Sequence, residues 1–175
     1  MWYFVVIFAI YLAFKTQNVV NLNSTYECKV DNKGRVMLPG KLKEELAEAL
    51  PNGFILKRSV FSRCIELWPK EEWDQELAKI NRLNRYEKKN ARFIRKFLAG
   101  VKAVEVDGTG RINIPNELIA FAGINKSIVF TPQIKILEVW DKEKYEQEVS
   151  FRDDDDDDFG ELAEEVMGDK KPETE

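Results

Sequence analysis

Apolar and polar positions alternate along this chain in a pattern that is stated twice. The run Val30-Asp31-Asn32-Lys33-Gly34-Arg35-Val36-Met37-Leu38-Pro39 returns as Val106-Asp107-Gly108-Thr109-Gly110-Arg111-Ile112-Asn113-Ile114-Pro115. In each copy an apolar residue closes one strand. Asp-x-x-Gly then supplies a carboxylate that can bond turn amides and a residue that tolerates positive φ. The four residues that follow have period two, which predicts strands with Val36, Leu38, Ile112 and Ile114 inward and Arg35 and Arg111 outward. Pro39 and Pro115 suit the first position of a helix. Leu42, Leu46 and Ala49, or Leu118 and Ala122, follow at helical spacing, and Gly123 is a stop signal.

Downstream the echo continues, with small deletions. Segments 54–56 and 64–68 read as a strand pair, mirrored by 128–130 and 136–140. Helices are expected at 69–80 and 141–149, each with acidic residues in its first turn, where the helix dipole favours them. Self-similarity of this kind marks duplicated units that share a core. The expected class is therefore α+β, mainly β with short helices. Its two like units span 25–72 and 102–145, joined by a connecting basic amphipathic helical region at 73–101.

Charge changes the picture. The 175 residues carry a formal charge of −4, but its sign depends on the region. Residues 24–150 hold 23 basic against 19 acidic side chains, while 151–175 hold 3 against 12. Nine basic residues lie between Lys79 and Lys102 with Glu87 as the one acid among them. Positive charge is thus expected to concentrate on one helix, whose apolar stripe (Ile80, Leu83, Ala91, Ile94, Phe97, Leu98) packs against the fold or a neighbouring subunit. The plain reading of its cations is a solvated face; the sharper one is a polyanion footprint in which Arg85, Lys88, Lys89 and Arg92 make secondary contacts.

Catalysis is disfavoured. The chain has no histidine, which removes Ser-His and Cys-His chemistry and the commonest metal ligand. Cys28 and Cys64 stand in strand-like segments without Cys-x-x-Cys spacing and read as small apolar residues. No metal, cofactor or small-molecule substrate is expected. One enzymatic alternative uses Asp31 and Asp107 as a proton-sharing dyad. It needs one raised pKa, whereas the neighbouring arginines favour ionisation.

The two Asp-x-x-Gly-Arg turns, the Glu66-Leu67-Trp68 and Glu138-Val139-Trp140 strand ends and the central run Arg92 to Gly100 resemble the MraZ family of bacterial transcriptional regulators, over roughly residues 23–150. The resemblance implies a duplicated, pseudo-two-fold swapped-hairpin β-barrel of the AbrB type and a ring-shaped homo-oligomer. It also implies binding of promoter DNA at short direct repeats upstream of the division and cell-wall gene cluster, with repression there, and a cytoplasmic, nucleoid-associated location. Lys33, Arg35 and Arg111 become the expected DNA contacts, and Asp31, Gly34, Asp107 and Gly110 form the turns that present them. For the arginines the plainer role is to bond their own turns. The competing class is an oligomeric scaffold that reads no DNA.

Two terminal regions lie outside this pattern. Residues 1–22 form an apolar extension, which reads as sequence upstream of the family's usual start; a membrane anchor is the alternative. Thirteen uncharged residues at ~1.5 Å rise fall short of a ~30 Å hydrocarbon core. Residues 151–175, with six consecutive aspartates, read as a disordered acidic tail with room for a frayed helical turn or two at 161–167; the plain reading is that it solvates the protein, the sharper one that it competes with phosphates for the basic groups.

Overall fold

The computed structural model describes residues 22–150 and 159–167. The first unit runs β1 (Tyr26–Lys29), β2 (Arg35–Met37), α1 (Gly40–Glu45), a 3₁₀ turn (Leu50–Asn52), β3 (Phe54–Arg58), β4 (Ile65–Pro69), α2 (Lys70–Ile80) and α3 (Lys88–Phe97). The second repeats that order without the 3₁₀ turn, with β5 (Lys102–Val104), β6 (Arg111–Asn113), α4 (Asn116–Ala122), β7 (Ser127–Gln133), β8 (Ile136–Asp141), α5 (Lys142–Val149) and α6 (Phe159–Met167). Both prolines sit one residue earlier than their expected place. With ψ near 140–148° they are extended and precede the helices, so the first helical residues are Gly40 and Asn116. Gly123 ends α4 in the left-handed region as expected.

The strands exchange between units. One six-stranded sheet has the order β1-β7-β8-β4-β3-β5, so the first strand of each unit edges the hairpin of the other. The β2 and β6 strands form a separate antiparallel ribbon, in register Arg35 to Asn113, Val36 to Ile112 and Met37 to Arg111. A pseudo-two-fold axis passes between Val36 and Ile112 in the ribbon and between Glu66 and Glu138 in the sheet, where β4 and β8 pair.

The main core fills the space between ribbon and sheet. Val36, Leu38, Ile112 and Ile114 are all buried, as the alternation requires, and join Phe54, Leu56, Ile65, Leu67, Phe130, Leu137 and Val139. The helices contribute Leu42, Leu118 and Ala122, and Leu46 joins them from the residue that ends α1. Leu22 is buried in this core too, so the last residue assigned to the apolar extension belongs to the fold. The remainder of that extension, 1–21, lies outside the described residues.

A second cluster lies on the opposite face of the first unit's hairpin. Ile55, Trp73, Ile80 and Phe97 are buried there, with Trp68, Ile94 and Leu98 packed against them. Phe97 stacks on Trp73 at 5.7 Å, and both rings meet Trp68 edge-on. This cluster corrects one expectation: the basic stretch is not one helix. The α2 helix ends at Ile80 and α3 begins at Lys88, because Asn84 takes over the intervening chain. Its side chain accepts from the Tyr86 amide, and its carbonyl accepts from the Glu87 amide and the Asn90 side chain. Such local bonds give the backbone an alternative to the helix. Leu83, placed on the stripe by spacing, is left at the surface.

Within the described part of the acidic tail, the helical turn or two allowed at 161–167 lies inside a helix that begins at Phe159. Phe159, Leu162, Ala163, Val166 and Met167 recur at helical spacing, and α6 forms there. Residues 151–158 and 168–175 lie outside the described residues.

Candidate nucleic-acid interface

The ribbon's outward face carries the candidate chemistry. Residues directly opposite in an antiparallel pair share a face. Because Val36 and Ile112 point into the core, Arg35, Met37, Arg111 and Asn113 all point away from it. The two turns enter this ribbon from opposite ends, and Arg35 and Arg111, the first ribbon residue after each, stand about 7 Å apart along its length at ~3.4 Å per residue.

Each turn is held from within by its aspartate. Asp31 Oδ1 accepts from the amides of Lys33 and Arg35 at 2.9 Å. Its Oδ2 accepts from the Arg35 guanidinium, at 2.8 Å from Nε and 2.7 Å from Nη2. These bonds, the Arg35 amide first, lower the Asp31 carboxyl to about 2. Asp107 is lowered as well, by the Thr109 hydroxyl first and then the Arg111 amide. Both carboxylates are therefore committed to their own turns and ionised, the reverse of what a dyad requires. The Arg111 guanidinium has no hydrogen bond or ion pair among the described residues.

The turns are also stitched to each other. Ile114 N–H donates to the Gly34 carbonyl at 2.8 Å, and Leu38 N–H donates to the Gly110 carbonyl at 3.0 Å. Gly34 has φ +80°, and a Cβ there would stand 2.5 Å from the Ile114 carbonyl oxygen. Only glycine permits this approach. At Gly110, φ +83°, the corresponding neighbour is the end of the Lys43 side chain.

That neighbour identifies residues that sequence reasoning missed. Lys33 stands in the first turn where the second has Thr109, and Lys43 brings an ammonium from α1 to the second turn instead. Asn113 and Met37 were not singled out either, since their place beside the arginines follows from the pairing of β2 with β6. The one available signal was the identical phase of the two repeats.

The expected secondary contacts lie elsewhere. Arg85 stacks on Tyr86 in the turn before α3, and Lys88, Lys89 and Arg92 occupy α3. The α3 helix packs on the Ile55 and Trp68 face of the sheet, whereas the ribbon covers the Phe54 and Leu56 face. The sheet separates the two basic surfaces.

Other chemistry finds no support. Burial pushes the Cys28 thiol up to about 11 and the Cys64 thiol up to about 12, so both are far from the reactive thiolate. Among the described residues no cluster of three or more metal-ligating side chains occurs, and no helix is long and apolar enough to cross a membrane.

The family model "MraZ protein, putative antitoxin-like" matches residues 22–96 and again 97–162. The chain belongs to the MraZ family. The two matches of the MraZ model coincide with the two units of the fold. A relative from Christiangramia forsetii, named transcriptional regulator MraZ, is 55% identical over 150 residues, covering 86% of this chain and 95% of its own. One of the same name from Flavobacterium psychrophilum is 54% identical over 144 residues, covering 82% and 90%. The MraZ regulator of Clostridium tetani is 35% identical over 122 residues, covering 70% and 82%. The family and its relatives are those of a transcriptional regulator.

Proposed function

We propose that this chain is a sequence-specific DNA-binding regulator that lays the β2–β6 ribbon against promoter DNA and represses the division and cell-wall genes from short direct repeats. The observation that carries this reading is the outward ribbon face, on which Arg35 and Arg111 flank the pseudo-axis on a backbone braced from below. A two-stranded ribbon fits the major groove, where arginine reads guanine edges, asparagine reads adenine and an apolar side chain meets the thymine methyl. Arg35, Arg111, Asn113 and Met37 match those roles, while Lys33 and Lys43 supply phosphate contacts. Ribbon and sheet together form the swapped-hairpin barrel of the AbrB type.

One ribbon is a small footprint, far below the roughly 600–1,000 Å² of single DNA-binding modules, so affinity requires several copies in register with direct repeats. A homo-oligomeric ring provides them. Its contacts are favoured by two exposed apolar hairpin tips, Phe61 between β3 and β4 and Ile134 between β7 and β8. Because β4 and β8 are antiparallel, these tips lie at opposite ends of the sheet, the geometry of a head-to-tail contact that closes into a ring. The protein acts in the cytoplasm on the nucleoid.

The test is a mobility-shift titration with DNA from upstream of its own gene cluster and with scrambled DNA. Preference for the upstream DNA that disappears in Arg35→Ala together with Arg111→Ala supports the reading. Equal binding of both DNAs, or undiminished preference in the double variant with unchanged circular dichroism, overturns it.

A further inference from the structure

The tail helix repeats α3 with its charges reversed. Sequence order already makes the two equivalent, since α3 follows α2 in the first unit as α6 follows α5 in the second. Aligned without gaps, Phe93, Ile94, Phe97 and Leu98 stand where α6 has Leu162, Ala163, Val166 and Met167. At the polar positions between them Arg92, Arg95 and Lys96 are replaced by Glu161, Glu164 and Glu165. The apolar spacing is kept and three cations become three carboxylates.

The two helices are left open in complementary ways. On α3, Phe97 is buried under the sheet face, but Lys88, Arg92, Arg95 and Lys96 are exposed and make no ion pair or hydrogen bond among the described residues. Phe93, 47% exposed, lies along the same edge, and Tyr86 stands just before the helix. On α6 the apolar side itself is open: Leu162 is 47%, Val166 73% and Met167 84% exposed. A short helix with a bare apolar face is marginal alone and gains by packing.

We propose that α6 docks on the outer face of α3 in its own chain, with its apolar edge against Phe93 and Tyr86 and the carboxylates of Glu164 and Glu165 against Arg92, Arg95 and Lys96. The tail is then a removable counterion for a cationic surface that the sheet separates from the DNA ribbon. Reach is sufficient. Ser150 lines a surface pocket with Phe61, Ser62 and Arg63, in the loop that follows Arg58. The Arg58 amide in turn bonds the Ala99 carbonyl, immediately after α3. Tail origin and α3 thus share one edge, and the eight residues 151–158 span up to about 28 Å at ~3.3–3.6 Å each. A tether of that length holds α6 at high effective concentration. The competing seat, over Trp140 and Tyr145 beside α5, would set the carboxylates against Glu143, Glu146 and Glu148. Lys142 there is already paired to Glu27, and Lys144 bonds the Ala122 carbonyl.

Carbodiimide coupling of the full-length protein, mapped by mass spectrometry, tests the docking without reference to DNA. The expected result is amide links from Glu164 or Glu165 to Lys88, Lys89 or Lys96 at 50 mM salt, several-fold fewer at 0.5 M, where screening is stronger. Glu164→Lys with Glu165→Lys abolishes them. Adding Arg95→Glu and Lys96→Glu restores links between the same positions, a recovery that a misfolded variant cannot give. Links to Lys142 or Lys144, or links spread evenly over surface lysines, overturn the proposal, as does failure of the fourfold swap. Links found only between differently labelled chains in an isotope mixture also overturn it, by making this a contact between copies.

Discussion

Gly34 and Gly110 look alike in sequence and in φ, yet their surroundings separate them. A methyl group at Gly34 meets the backbone carbonyl of Ile114, whose amide is bonded to Gly34 itself, and one at Gly110 meets a flexible lysine end. Gly34→Ala should therefore lower stability by more than the ~1–2 kcal/mol of left-handed strain alone, and Gly110→Ala by about that amount, read as the order of the two thermal midpoints. Asp31 has a pH signature. Its folded carboxyl is held near 2, below the usual 3.8, so the stabilisation it brings is complete above about pH 4 and is lost as pH falls towards 2. Asp31→Asn should thus be less stable than the wild type at pH 5, and the difference should shrink steadily to pH 2 in denaturant titrations. For DNA, Arg111→Ala removes a guanidinium that has no partner among the described residues and should cost about 1–3 kcal/mol of specific binding in a mobility-shift titration. Arg35→Ala should cost a similar amount of binding, and it alone should also free Asp31 and raise its pKa.

Between elements, the Lys57 ion pair shows what the repeat did not carry over. Lys57 is fully buried on β3, 2.7 Å from Glu66 on β4, with its ammonium over the Phe97 ring. Glu66 also accepts from Trp68 Nε1. In the second unit Thr131 stands opposite Glu138 where Lys57 faces Glu66, and burial, with Glu66 across the axis, raises the Glu138 carboxyl. Lys57→Met should destabilise by about 3 kcal/mol because it strands a buried carboxylate, and adding Glu66→Leu should recover part of that loss in chemical denaturation. The elements themselves were largely legible: period two in Arg35 to Leu38 and the glutamates opening α2 and α5 carry local physics in adjacent residues. The break at Asn84 was not, since nine closely spaced cations and an apolar stripe outweighed two asparagines whose bonds form only in the folded turn. Nor was the separation of α3 from the ribbon legible, because which face of a strand a distant helix covers is a property of the sheet. The outward arginines could be read from alternation; Asn113 and Lys43 required the register between repeats.

At the scale of the whole molecule, the hairpin tips bear the assembly prediction. Phe61→Asp or Ile134→Asp should each convert a ring into smaller species in light scattering at micromolar concentration, with unchanged circular dichroism; an unaltered mass would move the contacts elsewhere. The exchange of β1 and β5 bears on the proposed reading of DNA. Two identical chains joined by this exchange would present a ribbon with true two-fold symmetry, and such a reader prefers palindromes, indifferent to which way it faces. Covalent linkage of the halves lifted that restriction. Met37 opposite Arg111 is no longer matched by Asn113 opposite Arg35, and Lys33 has Thr109 as its counterpart. The pseudo-dimer has a left and a right hand, so in the proposed DNA-reading role it would give a stretch of duplex a direction, and a row of such readers all facing one way would require sites that repeat head to tail.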